Sequence, residues 1–405
     1  MGTRAALVSG CWAWLLFACL SAHAQGLPDR PIVLGDGRVT LGGDVSWSMA
    51  PEDAGFFNYT DYERSTLRLF RLTLLARAKA GDHLELLGEI RSENLSRPEP
   101  YALYLRVRPW TDRNLDIQVG RVPPTFGAFT RRTYPPDNPL IGYPLAYQYL
   151  TSIRADALPA SVDELLRMRA RGWLSSFTVG NPVPGPGVPL ASAFRWDTGV
   201  QVHTGNDLLE GTASVTAGTL SNPEVGDDNG GRQLAGRIVL HPIAGLIVGG
   251  SAARGAFVSQ NALHLAVPDS RDGDFPQTAW GGDIEFSRSY YVVRVETVVS
   301  RWTLPVAQAP LGELTLSAIA TFVEGRYKVR PGLYVAARVD HLGFSEVDGS
   351  AGSQSWEAPV SRWEVGGGYS LQRNLLLKIT YQRNHRAGGR VTNLGLGAVQ
   401  VAFWF

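Results

Sequence analysis

The sequence predicts an all-β fold: a transmembrane, antiparallel up-and-down β-barrel of about 16 strands with a long loop folded into its lumen. Three observations support this prediction. Segments of about ten residues alternate apolar and polar side chains, the spacers between them alternate between short and long, and one spacer is exceptionally long and apolar. A barrel with lipid outside and water inside produces this combination.

The first 24 residues have the pattern of a secretory signal peptide. Arg4 is followed by an apolar run from Ala5 to Leu20 and by the small residues of Ser21-Ala-His-Ala24. Residues 25–405 are then predicted to form the barrel. A lipoprotein signal ending at Cys19 is the alternative. Because Cys11 and Cys19 both lie in this segment, the mature chain has no thiol for catalysis or metal binding.

The alternation of side chains has a period of two residues, which is the period of a β-strand. In residues 289–301, for example, Val293, Val295 and Val299 share one face, whereas Arg294 and Glu296 share the other. Alternation alone fits a soluble β-sandwich as well as a barrel. The predicted strands are 37–48, 64–79, 83–93, 100–108, 114–121, 192–204, 211–220, 232–242, 244–255, 277–287, 289–301, 313–328, 332–343, 362–371, 373–385 and 396–405.

The spacers distinguish the two architectures. Short connections of a few residues alternate with longer ones rich in Gly, Pro, Asp and Asn, with one lapse at residues 94–99. Short turns at one rim and long loops at the other are typical of outer-membrane barrels, whose short turns are periplasmic. The longer spacers are 49–63, 122–191, 221–231, 256–276, 302–312, 344–361 and 386–395.

On the last strand, Val399, Val401, Phe403 and Phe405 form an entirely apolar face, and the strand ends on Phe405 without a polar tail. A lipid-facing strand needs such an outer face, although the last core strand of a soluble sandwich is the alternative. The terminal Phe405 resembles the signature that the barrel assembly machinery of the bacterial outer membrane reads. We therefore expect outer-membrane lipid and this machinery as partners. Aromatic residues near strand ends are predicted to form interfacial girdles: Trp47, Tyr101, Trp110, Trp280, Tyr290, Tyr291, Trp302, Tyr334, Trp363, Tyr381, Phe403 and Phe405.

The charge balance argues against a nucleic-acid partner. The chain has 38 Lys and Arg and 37 Asp and Glu residues, and loss of Arg4 with the signal peptide leaves a net charge of zero. Almost all basic residues are arginines, since Lys79, Lys328 and Lys378 are the only lysines.

Residues 122–191 interrupt the strand pattern. This segment is too apolar to remain solvated, and its many prolines exclude long regular elements. Ser161-Val-Asp-Glu164 forms a capping box and predicts a short helix near residues 161–170. We expect the segment to fold into the lumen and narrow the channel. A compact cap above the rim is the alternative.

Charged residues of this segment are the predicted pore constriction. Their arginine excess favours anions mildly, while Arg–acid pairs hold the loop together. The constriction set is Arg131, Arg132, Arg154, Arg167, Arg169, Arg171, Asp137, Asp156, Asp163 and Glu164. Inward-facing charges predicted to line the barrel wall are Arg106, Arg195, Glu285, Arg294 and Glu296.

The octapeptide Gly120-Arg-Val-Pro-Pro-Thr-Phe-Gly127, at the end of a strand and entering the long loop, resembles a Gly…Phe-Gly segment of the phosphate-selective porins O and P. The resemblance implies a β-barrel that conducts small solutes, often with a preference for anions. Porins of this size are usually homotrimers.

Catalytic signatures are not found: the sequence has no G-x-S-x-G elbow, H-E-x-x-H pair, Walker loop or dinucleotide fingerprint. We expect no enzymatic activity, no cofactor and no bound metal. Asn384-His385 is the only hint of a barrel lipase. The predicted function is passive diffusion of small hydrophilic solutes or ions. The alternative is a non-conducting barrel, plugged by its own loop, that acts as a scaffold or partner in an envelope complex.

Overall fold

The computed structural model describes residues 30–60, 64–110, 112–193, 196–224, 226–271, 273–306 and 313–405. The predicted signal peptide lies outside these residues. Sixteen antiparallel strands form a closed barrel, which confirms the predicted fold and strand number. They are β1 (Val39–Met49), β2 (Phe70–Lys79), β3 (Leu84–Glu93), β4 (Glu99–Val107), β5 (Leu115–Val122), β6 (Asp197–Gly205), β7 (Leu209–Thr216), β8 (Gln233–Ile243), β9 (Leu246–Ala256), β10 (Pro276–Arg288), β11 (Tyr291–Pro305), β12 (Glu313–Arg330), β13 (Leu333–Phe344), β14 (Val360–Gln372), β15 (Leu375–Arg386) and β16 (Asn393–Trp404).

The first and last strands close the barrel. β1 pairs with β16 from Asp44 opposite Trp404 to Met49 opposite Val399. Beyond β16, the backbone N–H of Phe405 donates to the carbonyl of Gly43 at 3.0 Å, and its own carbonyl accepts from Gly43 at 3.2 Å. A three-residue strand, Ile32–Leu34, pairs with the start of β1. The terminal residue is therefore held in the barrel wall.

The two faces of the wall differ in polarity as the alternation predicts. On β13, the outward Val335 and Val339 are 48% and 61% exposed, whereas the inward Arg338 and Asp340 are buried. Exposed apolar side chains recur on the outward face of the other strands, so the barrel presents an apolar belt of the kind that faces lipid. Among the described residues, no helix is both long and apolar enough to cross a membrane.

The connections at the two rims differ in length, as predicted. At one rim the turns are short; Gly245 joins β8 to β9 with φ +85°, and a Cβ there would lie 2.2 Å from the carbonyl oxygen of Ser287. At the opposite rim the loops are long. One carries the hairpin Glu346–Gly349 and Gly352–Ser355, and another carries a helix at Gln260–Ala266. The long-loop rim is the extracellular one in a barrel of this type.

Three residues predicted for the aromatic girdles instead face the interior. The pairing of β3 with β4 shifts register between Glu89 and Ile90, which leaves Tyr101 in a bulge and turns its side chain inward. Trp302 is fully buried inside the barrel, and the Tyr334 hydroxyl donates to the carbonyl of Pro139. The girdle assignment is therefore wrong for these three residues. By contrast, Trp47, Trp280 and Trp363 are exposed on the outer face, as expected.

Candidate pore and constriction

Residues 123–150, here called the constriction segment, run through the lumen. The segment includes a 3₁₀ turn at Phe129–Arg132 and a one-turn helix, α1, at Leu145–Gln148. Phe129 packs against Tyr143, Tyr147 and Phe322 at ring-centroid distances of 5.3, 5.2 and 6.4 Å. The main apolar core of the protein lies inside the barrel, where residues of the long spacer 122–191 pack against the inner wall and the extracellular loops, rather than between two sheets.

One carboxylate on β11 anchors the first turn of the constriction segment. Glu296 accepts hydrogen bonds from the backbone N–H groups of Ala128 at 2.8 Å and Phe129 at 3.2 Å, and from the hydroxyl of Tyr147. The carboxylate is buried, so it satisfies three donors that water cannot reach. This contact fixes the turn that carries Arg131.

A network of ion pairs lies between the segment and strands β11 to β14. Glu324 accepts from Arg132 of the segment at 3.1 Å, and from Arg294 and Arg338 of the wall at 3.2 Å each. Arg338 also donates to Glu364 at 2.7 Å. Because the charges are paired and hydrogen-bonded, their burial is tolerated. The lumen beside strands β11 to β14 is therefore filled by side chains of the wall and of the constriction segment.

Basic side chains of the wall also bind carbonyl groups of the segment. Lys378 on β15 donates to the carbonyls of Asn138 at 2.6 Å and Leu140 at 3.3 Å. Arg362 on β14 donates to the carbonyl of Tyr143 at 3.1 Å. The constriction segment is thus attached along strands β11 to β15.

Residues 151–191, here called the cap segment, pack against the extracellular loops. Their helix α2 spans Val162–Arg167, which is shorter than the predicted 161–170 because Ala170 adopts φ 62°. One half of the predicted capping box is present, since Ser161 accepts from the N–H of Glu164 at 3.2 Å, whereas the Glu164 carboxylate accepts from Ala160 in place of Ser161. In the loop before β14, Glu357 accepts the N–H groups of Ser152 and Ala170. The long spacer therefore divides into a lumenal half and an outer half.

A chamber of about 400 Å³, here called the inner chamber, lies between the constriction segment and strands β4 to β6. Arg106, Asp116 and Gln118 line it from the wall, together with Gln201 and His203. Arg131 faces this chamber from the segment, and its guanidinium forms no ion pair with the described carboxylates. The open space is therefore on the side of the lumen opposite the ion-pair network.

A second cavity of about 240 Å³, here called the outer vestibule, lies toward the extracellular side. Four arginines and two glutamates line it: Arg64, Arg91, Arg97, Arg121, Glu93 and Glu99. Like the inner chamber, it carries more cationic than anionic side chains. Residues 186–189 of the cap segment form part of its wall.

A stack of Tyr101, Arg91 and Tyr134 separates the vestibule from the chamber. The Arg91 guanidinium lies 3.4 Å from the centroid of Tyr101 and 5.5 Å from that of Tyr134. Glu89 completes the stack by accepting from Arg91 at 2.8 Å and from the Tyr134 hydroxyl at 2.6 Å. Arg91 and Tyr101 line the vestibule, whereas Tyr134 lines the chamber. We refer to these four residues as the arginine–tyrosine stack.

The predicted constriction residues occupy different places. Arg131 faces the inner chamber, and Arg132 is paired with Glu324. Asp137 is exposed but is not among the residues that line the chamber. Two others, Arg154 and Asp156, bind each other within the cap segment, with an N–O distance of 2.8 Å.

The remaining predicted charges of the cap segment lie away from the chamber. Glu164 accepts from Ala160 and Thr178, and Asp163 accepts from Ser350. Arg169 donates to the carbonyl of Ala387. Arg167 and Arg171 are exposed.

Of the predicted wall residues, Arg106 lines the inner chamber, and Arg294 pairs with Glu285 at 2.6 Å. Glu296 anchors the constriction segment, as described above. Arg195 lies outside the described residues. The predicted pore residues do not include the arginine–tyrosine stack, although the period-two alternation of residues 83–93 puts Glu89 and Arg91 on one polar face of β3.

The Asn384-His385 dipeptide does not form a catalytic pair, because adjacent residues of a strand point to opposite faces. Asn384 is buried in the interior, where its side-chain oxygen accepts from Arg362 at 2.6 Å. His385 is exposed on the outer face and bonds to Asn393 at 3.0 Å.

No protein-family model matches the sequence, and no curated protein sequence matches it. Solved porin structures share its fold. The chain is similar to OmpF of Salmonella typhi, solved in complex with daunomycin (TM-score 0.56, 10% identity, covering 93% of this chain and 100% of that one). It is similar to an anion-selective porin from Comamonas acidovorans (TM-score 0.54, 11% identity, covering 91% of this chain and 99% of that one). It is also similar to the trimer form of OmpT from Vibrio cholerae (TM-score 0.52, 12% identity, covering 91% of this chain and 99% of that one).

Proposed function

We propose that this protein is an outer-membrane porin through which small hydrophilic solutes diffuse passively, with a mild preference for anions. The observation that carries the preference is Arg131, the guanidinium that faces the inner chamber without a paired carboxylate among the described residues. The arginine excess in the outer vestibule acts in the same direction. The fold and the outward apolar belt support the location.

The size of the preference follows from Coulomb's law. An ion passing about 5 Å from the Arg131 guanidinium in water gains or loses about 0.8 kcal/mol, and salt at 0.1 M reduces this to about 0.5 kcal/mol. The effect has opposite signs for anions and cations. Neutralising Arg131 should therefore shift the anion-to-cation permeability ratio about fivefold toward cations.

Reversal potentials in planar bilayers under a KCl gradient test this proposal. Arg131→Gln should shift the reversal potential toward the value of a cation-selective channel. Arg167→Gln, which neutralises an exposed arginine on the cap segment, should leave the reversal potential unchanged. Absence of conducting steps from folded wild-type protein would refute the diffusion role. An unchanged reversal potential in Arg131→Gln would refute the anion assignment.

A barrel plugged by its own loop is the second candidate, favoured by the arginine–tyrosine stack that separates the two cavities. In that case the wild type should not conduct, and Tyr134→Ala should open it. In a porin the same substitution should only increase an existing conductance. We also propose a homotrimer, which the trimer form of the similarly folded OmpT supports.

The resemblance of residues 120–127 to the phosphate-selective porins supports the anionic direction of the preference. The cations that face the chamber and vestibule are all arginines, and the buried Lys378 binds backbone carbonyls instead. We therefore propose general anion preference and assign no phosphate-specific site.

A further inference from the structure

An apolar groove of about 530 Å³, here called the outward groove, crosses the lipid-facing surface of strands β6 to β10. The strand register explains its shape. One cross-strand row runs from Val202 through Ala213, Gly236 and Ala252 to Trp280. The three small residues form the floor, while the larger side chains at both ends form walls.

Two arginines lie at the extracellular end of this groove. The next row toward the extracellular rim places Arg254 opposite Thr278, and Thr278 opposite Arg301. Both arginines are exposed and point outward, since their neighbours Ala253 and Trp302 are buried inside the barrel. With two strand spacings between them, their Cα atoms lie about 10 Å apart, so both side chains can reach one group between them.

The position of these arginines points to an anionic partner. They lie immediately above Trp280, at the boundary between the apolar belt and the long-loop rim, where a guanidinium can reach the headgroup level. Neither forms an ion pair with a carboxylate in the described part of the chain. Guanidinium groups bind phosphate through paired, charge-assisted hydrogen bonds. Arg254 also lines the groove itself, so the cation and the apolar surface are continuous.

We propose that this surface binds lipopolysaccharide: its lipid phosphate contacts Arg254 and Arg301, and one acyl chain occupies the outward groove. The groove requires an apolar chain attached to the anion, which free phosphate lacks. A second copy of this protein fits less well, because it would bury two unpaired guanidinium groups. The proposal goes beyond conduction and requires only that the barrel spans the outer membrane.

Native mass spectrometry of the detergent-solubilised protein, titrated with purified lipopolysaccharide, tests the site. The Arg254→Ala/Arg301→Ala variant should retain the lipid about tenfold more weakly, or worse, than the wild type. Arg288→Ala, which removes an exposed arginine at the short-turn end of β10, is the matched control and should bind normally. Enzymatically dephosphorylated lipopolysaccharide should bind the wild type as weakly as intact lipid binds the double variant.

A groove-filling variant separates the acyl contact from the charge. A Cβ at Gly236 would meet only the Thr212 carbonyl oxygen, at 3.9 Å, so Gly236→Leu should fold while reducing lipid retention. Heat-modifiable gel migration verifies that every variant is a folded barrel.

Three results would overturn the proposal. The first is equal retention of lipopolysaccharide by the wild type and the double arginine variant. The second is retention of phosphatidylglycerol, in place of lipopolysaccharide, with the same arginine dependence. The third is a variant of the groove or of the two arginines that changes the oligomeric state of the protein but binds as much lipid as the wild type, which would assign the groove to contact between copies. Single-channel conductance, measured separately, reports on the diffusion role alone.

Discussion

Replacing Glu296 with alanine should release the turn that carries Arg131 while leaving the barrel closed. The substitution removes the acceptor of three hydrogen bonds, from the N–H groups of Ala128 and Phe129 and from the hydroxyl of Tyr147. Each buried donor left unsatisfied costs about 1–3 kcal/mol, so loss of all three bonds should weaken attachment of the constriction segment by about 3–9 kcal/mol. β11 keeps its backbone pairing with β10 and β12, which does not depend on this side chain.

Two measurements report the release. Single-channel recordings of Glu296→Ala should show larger and noisier open currents than the wild type, because a detached segment fluctuates within the lumen. Limited proteolysis should cut within residues 123–150 under conditions that leave the wild type intact. Tyr147→Phe removes only one of the three bonds and preserves the ring packing. Its conductance, current noise and protease sensitivity should therefore lie between those of the wild type and of Glu296→Ala. Wild-type conductance, current noise and protease resistance in Glu296→Ala would show that the segment is held by other contacts, and the reasoning would fail.

Two further predictions concern different parts of the molecule. Tyr134→Ala removes one ring of the arginine–tyrosine stack and should raise single-channel conductance. Tyr134→Phe keeps the ring and should alter the conductance little. Equal conductance in the wild type and both variants would show that the stack does not limit ion flow. In the loop between β7 and β8, burial and the Asp228 carboxyl raise the pKa of Glu224 from 4.5 to about 8. Its neutral form is favoured in the folded loop, so stability that is complete below pH 4.5 should decrease as the pH rises through 8. Once the intrinsic, base-catalysed rise in exchange rate is divided out, the protection of the amides of residues 217–224 should fall over this range. Glu224→Gln should abolish this loss of protection, and an identical pH profile of protection in the variant would contradict the prediction.

The strands could be predicted from the sequence because their determinant is local. Alternation of period two places each side chain on a lipid or lumenal face, so the inward positions of Arg294 and Glu296 follow directly from their spacing. The bulge at Tyr101 shows the limit of this reasoning. One unpaired residue reverses the parity, and nothing in the alternation of residues 100–108 marks the position where pairing with β3 shifts register.

The path of residues 123–150 could not be predicted in the same way. Its prolines exclude long regular elements, but they do not specify which wall residue each turn meets. The contact between Glu296 and Ala128 joins positions separated by 168 residues and depends on the three-dimensional route of the segment. The charge count within 122–191 therefore cannot separate Arg131, which faces the chamber, from Arg154, which binds Asp156.

The side chains that hold the constriction segment also explain why one half of the barrel interior is so highly charged. An irregular segment at membrane depth cannot satisfy its own backbone groups as a helix or a strand does. The inner wall supplies the missing partners: Glu296 and Glu364 accept N–H groups of the segment, while Arg338, Arg362 and Lys378 donate to its carbonyls. These charged side chains form hydrogen bonds with the backbone of the segment or ion pairs with one another. The proposed anion preference therefore depends on the opposite side, where the chamber lies beside β4 to β6 and Arg131 has no paired carboxylate among the described residues.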